Sequence, residues 1–329
     1  MKNLKTVTTE PNIAYITDFH GGRDATRRAV AYLKDHPVHL IVLGGDIPDF
    51  TPSTFAYQLR IFLKLGKPVI VFPGSHENSE NYEKTIKELK KNPLLIDGVK
   101  ERKVKLNNFN LLIVPGSDSV SSGNKPYNGG SYKLIKAPSP ATTAKLTKYL
   151  KEHKIAKKAT PIAISDTEKQ YNRTRPTILF THIPLECKTN KGIDIARFGT
   201  FKHEFTLKPK DKRKKVFSTE FSGDYSPHVL VNYEQAKVLK EHGYPVHIKK
   251  ENVGSATLRK FALKKNVRAY LCGHIHEAGP RAIDLEEKAV RKNTWTKKVF
   301  INSGPGNHGN MTILTLNKNG EVKYNFVNF

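Results

Sequence analysis

Five short segments of this 329-residue chain place aspartate and histidine beside glycine or proline. They read TDFHGG at 17–22, GGDIPD at 44–49, PGSHEN at 73–78, a single His182 in FTHIP, and CGHIHE at 272–277. Asp18, His20, Asp46, His76, His182, His274 and His276 thus form a set of carboxylate and imidazole donors with no thiolate among them. Such donors suit Mn, Fe, Zn, Co or Ni, and do not resemble a structural cysteine–zinc site. One ion seldom needs six protein ligands. Two ions about 3.5–4 Å apart that share a carboxylate use them well, as in hydrolytic two-metal sites. In an extended segment Asp18 and His20, two residues apart, point the same way, and so do His274 and His276.

These segments are positioned by buried strands. NIAYIT (12–17), VHLIVL (38–43), PVIVF (68–72), TILFTH (177–182) and VRAYLCG (267–273) are short apolar runs, and each cluster lies just past the end of one of them. Helical spacing at 23–35, at 52 to about 65 and after Ser79, read as an N-cap, alternates with the first three runs. That rhythm predicts parallel pairing in an α/β fold, where ligands gather beyond the carboxyl ends of strands. FNLLIVPG (109–116) is a further strand, 141–157 and 255–265 are helical, and three strands close the chain near 298–302, 311–316 and 321–327. Residues 117–139, rich in Ser, Gly, Asn and Pro, read as a long loop, and 186–251 as a weakly patterned basic insertion or small cap. One domain over 1–329 is expected, with its core at about 10–185 and 252–329.

The bulk properties narrow the partners. The formal charge is +26, nearly all of it beyond residue 80, and the densest run is KPKDKRKK at 208–215. A basic excess attracts polyanions, so nucleic acid is a possible partner. Aromatic residues do not interleave with that run as a base-stacking platform requires. No segment approaches the roughly 20 apolar residues of a membrane span. The N-terminus lacks an apolar signal core, and the two cysteines, Cys187 and Cys272, suit a reducing compartment, so a cytoplasmic protein is expected.

The order D-x-H, G-D, G-N-H-[DE], a lone H and G-H-x-H, with serine in place of the asparagine, resembles that of the calcineurin-like metallophosphoesterases. NVGSATLRKFALKKNVRAYLCGHIHEAG (252–279) is similar to their Icc-related branch. The resemblance implies two mixed β-sheets packed as a sandwich flanked by helices, with a dinuclear metal centre at one end. It implies that Asp18, His20 and His276 hold one metal, that Asp46 bridges, and that His182 and His274 hold the other. It also implies that His76 serves the leaving group. The family places asparagine where this chain has Ser75. A hydroxyl is a shorter and weaker ligand than an amide oxygen, so the second site is expected to be looser, or completed by water or Asn78.

The expected reaction is hydrolysis of a phosphate ester, with a phosphodiester favoured over a monoester, Mn favoured as the metal, and a metal-bound hydroxide as nucleophile. His76 would act on the leaving-group oxygen, a task that suits imidazole. Asp49 and Glu77 would either orient histidines or cap turns, and His308 in NSGPGNHG (302–309) would meet substrate or merely close a glycine turn. The alternatives are a nuclease of the same superfamily and a non-catalytic metal-binding scaffold in which Ser75 has cost an ion.

Overall fold

The apolar runs become strands because both of their faces are covered. In a computed structural model of the protein, which describes residues 2–4, 6, 8–48, 52–117, 132–135, 160–201, 203, 205–207, 223–225 and 231–329, they assemble into two sheets. One has six strands in the order Val322–Asn328, Asn310–Leu316, Asn12–Ile16, Leu40–Gly44, Val69–Phe72 and Leu95–Asp97. The last four run parallel and the two C-terminal strands antiparallel. The second sheet has seven strands, ordered Lys2–Leu4, Lys103–Leu106, Phe109–Val114, Thr177–Thr181, Val267–Cys272, Val299–Asn302 and Arg281–Ile283. It too is mixed in direction.

Alternation within the strands makes the layers. Ile13, Tyr15, Leu40, Val42, Ile70 and Phe72 of the first sheet meet Leu111, Ile113, Ile178, Phe180, Leu271 and Ile301 of the second in one buried core. Their chain neighbours, such as Ala14, Ile16, Ile41 and Leu43, face outward into helices. Helices α1 (Arg23–Asp35), α2 (Pro52–Leu63) and α3 (Ser79–Leu89) cover the six-stranded sheet through Ala29, Leu33, Phe55, Leu59, Phe62, Tyr82 and Ile86. The short helix α4 (Ile164–Glu168) lies against Phe109–Val114. The expected sandwich of two mixed sheets flanked by helices is what the chain forms. Asn78, not Ser79, caps α3, since its Oδ1 accepts from the Glu80 and Asn81 amides. The expected helix at 141–157 lies outside the described residues, and so does the expected loop at 117–139 apart from 117 and Tyr132–Ile135, which is not loop but a strand paired with Thr160–Ala163.

Within the weakly patterned 186–251 region, Ile195–Phe201 forms the middle of a small antiparallel sheet between Val231–Asn232 and Val246–Asn252. Helix α5 (Tyr233–Glu241) backs it with buried Ala236 and Leu239. Ala196 and Phe198, on the opposite face, pack against Ile275 and Ala278. Only a few apolar positions are needed to seat so small a sheet, which is why its sequence pattern is faint. The basic run 208–215 lies outside the described residues.

A buried carboxylate ties the backbone after Cys187 to a neighbouring helix. Glu287, 5 % exposed, accepts from the Lys188 and Thr189 amides at 2.8 and 2.7 Å and from Arg259 of α6 (Ala256–Ala262) at 2.8 Å. Burial works against its charge, but these donors prevail and hold its pKa below the ordinary value. The stabilisation is therefore present above the unfolded glutamate pKa of about 4.3 and is lost as pH falls through the lower folded value. Glu287→Gln is expected to cost about 1.5–3 kcal/mol in urea unfolding at neutral pH, and less in acid. An equal loss at pH 3 and pH 7 would contradict this assignment.

Candidate metal centre

All the donor segments lie at one end of the sandwich, three from the six-stranded sheet and two from the seven-stranded sheet. The turn after Asn12–Ile16 carries Asp18 and His20, and the turns after Leu40–Gly44 and Val69–Phe72 carry Asp46 and Ser75–Glu77. His182 follows Thr177–Thr181, and His274 and His276 follow Val267–Cys272. The first two turns are laced together by Asp18 N to Gly45 O, His20 N to Asp46 O and Gly21 N to Ile47 O, each at 3.0 Å. Gly273 N donates to His182 O at 2.9 Å and links the other two.

The side chains converge by backbone kinks rather than by strand alternation. Asp18, His20, Asp46 and His274 all have positive φ, at 56°, 45°, 52° and 67°. Such conformations cost about 1–3 kcal/mol each in non-glycine residues and gather at functional sites. The expectation that residues two apart point alike therefore fails for His274 and His276, which enter different clusters. Glycine is needed where these kinked turns crowd. A Cβ on Gly273 would lie 2.2 Å from Asp18 Oδ2, and one on Gly45 (φ +90°) would lie 2.8 Å from His182 Nδ1.

Three groups of donor atoms result: Asp18, His20 and His276; Asp46, His182 and His274; and His20, Asp46 and His76. In the first, His20 Nε2 and His276 Nε2 are 3.1 Å apart, and Asp18 Oδ1 is 3.3 Å from His276 Nε2. In the second, His182 Nε2 lies 3.1 Å from both His274 Nδ1 and Asp46 Oδ2. With metal–ligand bonds of about 2.0–2.2 Å, two ligands of one ion stand roughly 3–3.5 Å apart, so both groups fit a divalent ion. His182 Nδ1 donates to Gly44 O at 3.0 Å, which leaves Nε2 as the donor atom.

Electrostatics point the same way. Burial would raise the Asp18 and Asp46 carboxyls, but the surrounding histidines hold both below the ordinary range. Burial lowers His20 to about 4 and, with His182 beside it, His274 to about 3, so both imidazoles are neutral and free to ligate at pH 7. His182 is the exception. Burial disfavours its charge, yet the Asp46 carboxylate overrides this and raises it to about 10. The Asp46 carboxylate thus favours positive charge at this position.

Ser75 is 1 % exposed, and its hydroxyl donates to Asp46 Oδ2 at 2.7 Å. The Ser75 and His76 amides donate to Asp46 Oδ1 at 2.5 and 2.8 Å, so Oδ2 is the oxygen that faces the histidines. Of the alternatives for completing this group, the Asn78 carboxamide is ruled out, because its side chain is exposed and its Oδ1 caps α3. Glu77 does not orient a histidine either. Its carboxylate clamps the Asp46, Ile47 and Gly74 amides at 3.2, 3.0 and 2.7 Å, and burial next to Asp46 raises its pKa to about 7. Asp49 lies outside the described residues. His308 is exposed and belongs to none of the donor groups. Sequence reasoning missed Thr17, whose hydroxyl lies 3.0 and 3.1 Å from the Gly44 and Gly45 carbonyls, although its place directly before Asp18 was a signal.

Placing an amide at position 75 tests whether the serine hydroxyl weakens the Asp46 group. Ser75→Asn is expected to tighten the second Mn²⁺ by about 10- to 100-fold, the range carried by single supporting groups at metal sites. Chelator competition measures this, and unchanged affinity would mean that Ser75 does not adjoin the ion.

Among solved structures, the chain is similar to the protein TT1561 of Thermus thermophilus, with 12% identity over 96% of this chain and 99% of that one and a TM-score of 0.43. It is similar to phosphopantetheinyl hydrolase from Mycobacterium tuberculosis, with 14% identity over 91% and 92% and a TM-score of 0.41. A dimetal phosphatase from Danio rerio gives 12% identity over 97% and 99% and a TM-score of 0.41. No curated protein sequence matches significantly. The calcineurin-like phosphoesterase family profile matches residues 11–278, a span that holds every donor residue described above. With its two donor groups in place, the chain belongs to the calcineurin-like phosphoesterase family and is a metallophosphoesterase.

Proposed function

We propose that the protein hydrolyses a phosphodiester, in preference to a monoester, at a dinuclear divalent-metal centre. The observation that carries this reading is the pair of donor groups with partly exposed His76 beside the carboxylate of Asp46. Asp18, His20 and His276 would hold one ion, His182, His274 and the Ser75 hydroxyl the other, and Asp46 would be common to both. Divalent ions, Mn²⁺ favoured, would supply charge for the phosphoryl oxygens and acidify a water. The residues of the chain do the rest. The kinked turns fix the donors in advance, Glu77 holds two of those turns in register, and His76 delivers a proton to the departing oxygen.

The 186–251 region is an insertion in one catalytic domain spanning 1–329, and it borders the turn of His276 through Arg197 N and Glu277 Oε1 at 2.6 Å. The 252–279 stretch supports the Icc-related branch. The +26 charge keeps nucleic acid as a second substrate class. Two free, buried cysteines suit the cytoplasm. No described helix is long and apolar enough to cross a membrane.

Turnover of bis-p-nitrophenyl phosphate and of p-nitrophenyl phosphate by Mn²⁺-loaded protein tests the proposal. The diester is expected to be cleaved with the higher kcat/KM. A faster monoester would overturn the preference. Salt-sensitive cleavage of DNA or RNA at a higher kcat/KM would make the protein a nuclease.

A further inference from the structure

Asn302 closes the strand Val299–Asn302, pairs with Cys272 and Arg281, and is completely buried. Its Nδ2 donates to Ile275 O and Ile193 O, both at 3.0 Å, and lies 3.4 Å from Gly273 O. Its Oδ1 accepts from Gly304 N at 2.9 Å, so the carboxamide is used on both sides. Ile275 separates His274 from His276, and Gly273 precedes them. One side chain therefore grips the backbone on which two histidines diverge into the two donor groups.

The third partner lies elsewhere. Ile193 is at the root of the small sheet, two residues before Ile195–Phe201 begins. That root is itself built of buried bonds. Asp194, completely buried, accepts from Cys187 N at 2.9 Å, Gly254 N at 3.0 Å and Asn252 Nδ2 at 2.8 Å, and so gathers both chain crossings into the sheet. Arg281 Nη1 adds a bond to Gly192 O at 2.8 Å.

We propose that Asn302 is a positioning residue that fixes the spacing of His274 and His276 and locks it to the root of the small sheet. It touches neither substrate nor metal. It acts through the Ile275 and Ile193 carbonyls, so losing its two donor hydrogens frees the histidine turn and the sheet root together. The inference rests on the metal-centre reading for its consequence, and on hydrogen-bond geometry alone for the tie itself.

Asn302→Leu removes the donors at similar volume, and Asn302→Asp keeps the acceptor for Gly304 while placing negative charge against three carbonyls. The second serves if the first fails to fold. Ser303→Ala is the control at the same strand end, since Ser303 Oγ contacts Tyr15 O and Thr312 and not the histidine turn. Hydrogen exchange on metal-free protein is expected to rise jointly at 192–200 and 273–278 in the Asn302 variants and not in the control. Mn²⁺ affinity by chelator competition is expected to fall about 10- to 100-fold. Exchange that rises evenly over the whole sandwich, or only one of the two segments responding, would overturn the proposal. So would Mn²⁺ affinity within twofold of the unaltered protein. Failure of the unaltered protein to bind Mn²⁺ would count against the metal centre alone, because the exchange measurement still decides the tie.

Discussion

Asp46→Asn is expected to abolish measurable diester hydrolysis and to release at least one of the two ions. Among the described carboxylates only Asp46 serves two donor groups, since it shares one with His182 and His274 and another with His20 and His76. Its carboxylate takes three hydrogen bonds from Ser75 and His76, and its Oδ2 lies 3.1 Å from His182 Nε2. Asparagine keeps the shape, loses the charge and turns one oxygen into a donor. In the metal-free protein the change also leaves His182, completely buried, without its counter-charge. Breaking such a pair costs about 3–5 kcal/mol. Reduced activity, reduced metal stoichiometry and a lowered unfolding midpoint should therefore appear together. Full metal content with near-normal turnover would mean that Asp46 is a structural carboxylate only.

His76→Ala is expected to lower kcat by about 10²–10⁴-fold, the usual contribution of a positioned acid or base, while two ions stay bound. Its Nε2 stands 3.8 Å from Asp46 Oδ2, and its ring meets the edge of His20 with centroids 4.5 Å apart. At 18 % side-chain exposure it is open to a substrate, whereas His182 is sealed. The third donor group makes a rival role concrete, because His20, Asp46 and His76 also lie close enough to share an ion. Metal counting separates the two. A His76→Ala protein that loses an ion has lost a ligand. One that keeps both ions and its KM but loses kcat has lost a proton donor.

Much of this was legible in the sequence, for identifiable reasons. Parallel strands buried on both faces are nearly unbroken apolar runs, so Ile13–Ile16, Leu40–Leu43, Val69–Phe72 and Ile178–Phe180 could be placed within a residue or two. Aspartates and histidines directly after them could only lie at one end of the sheets. The division of the donors between two ions followed from the resemblance; the described donors fall into three groups, two of which share no residue. Four things were hidden. Positive φ at Asp18, His20, Asp46 and His274 is set by the turns pressing on one another, which local propensity does not express. Glu77 stood in the sequence between orienting a histidine and capping turns, and it serves three amides because the turns of Asp46 and Gly74 leave their N–H groups pointing inward. Asn78 and Ser79 are both good N-caps, and only the entry angle of α3 chooses between them. The small sheet at 195–252 hides its pattern because the strand Val246–Asn252 buries Val246 alone.

The central claim is that two ions, held by the Asp18 and Asp46 groups, make this chain a hydrolase. The most direct test is to titrate metal-stripped protein with Mn²⁺ while counting bound ions and following bis-p-nitrophenyl phosphate turnover in the same samples. Saturation is expected at two ions per chain, with turnover appearing as the second, weaker ion binds. Saturation at a single ion, or two bound ions without turnover, would contradict it.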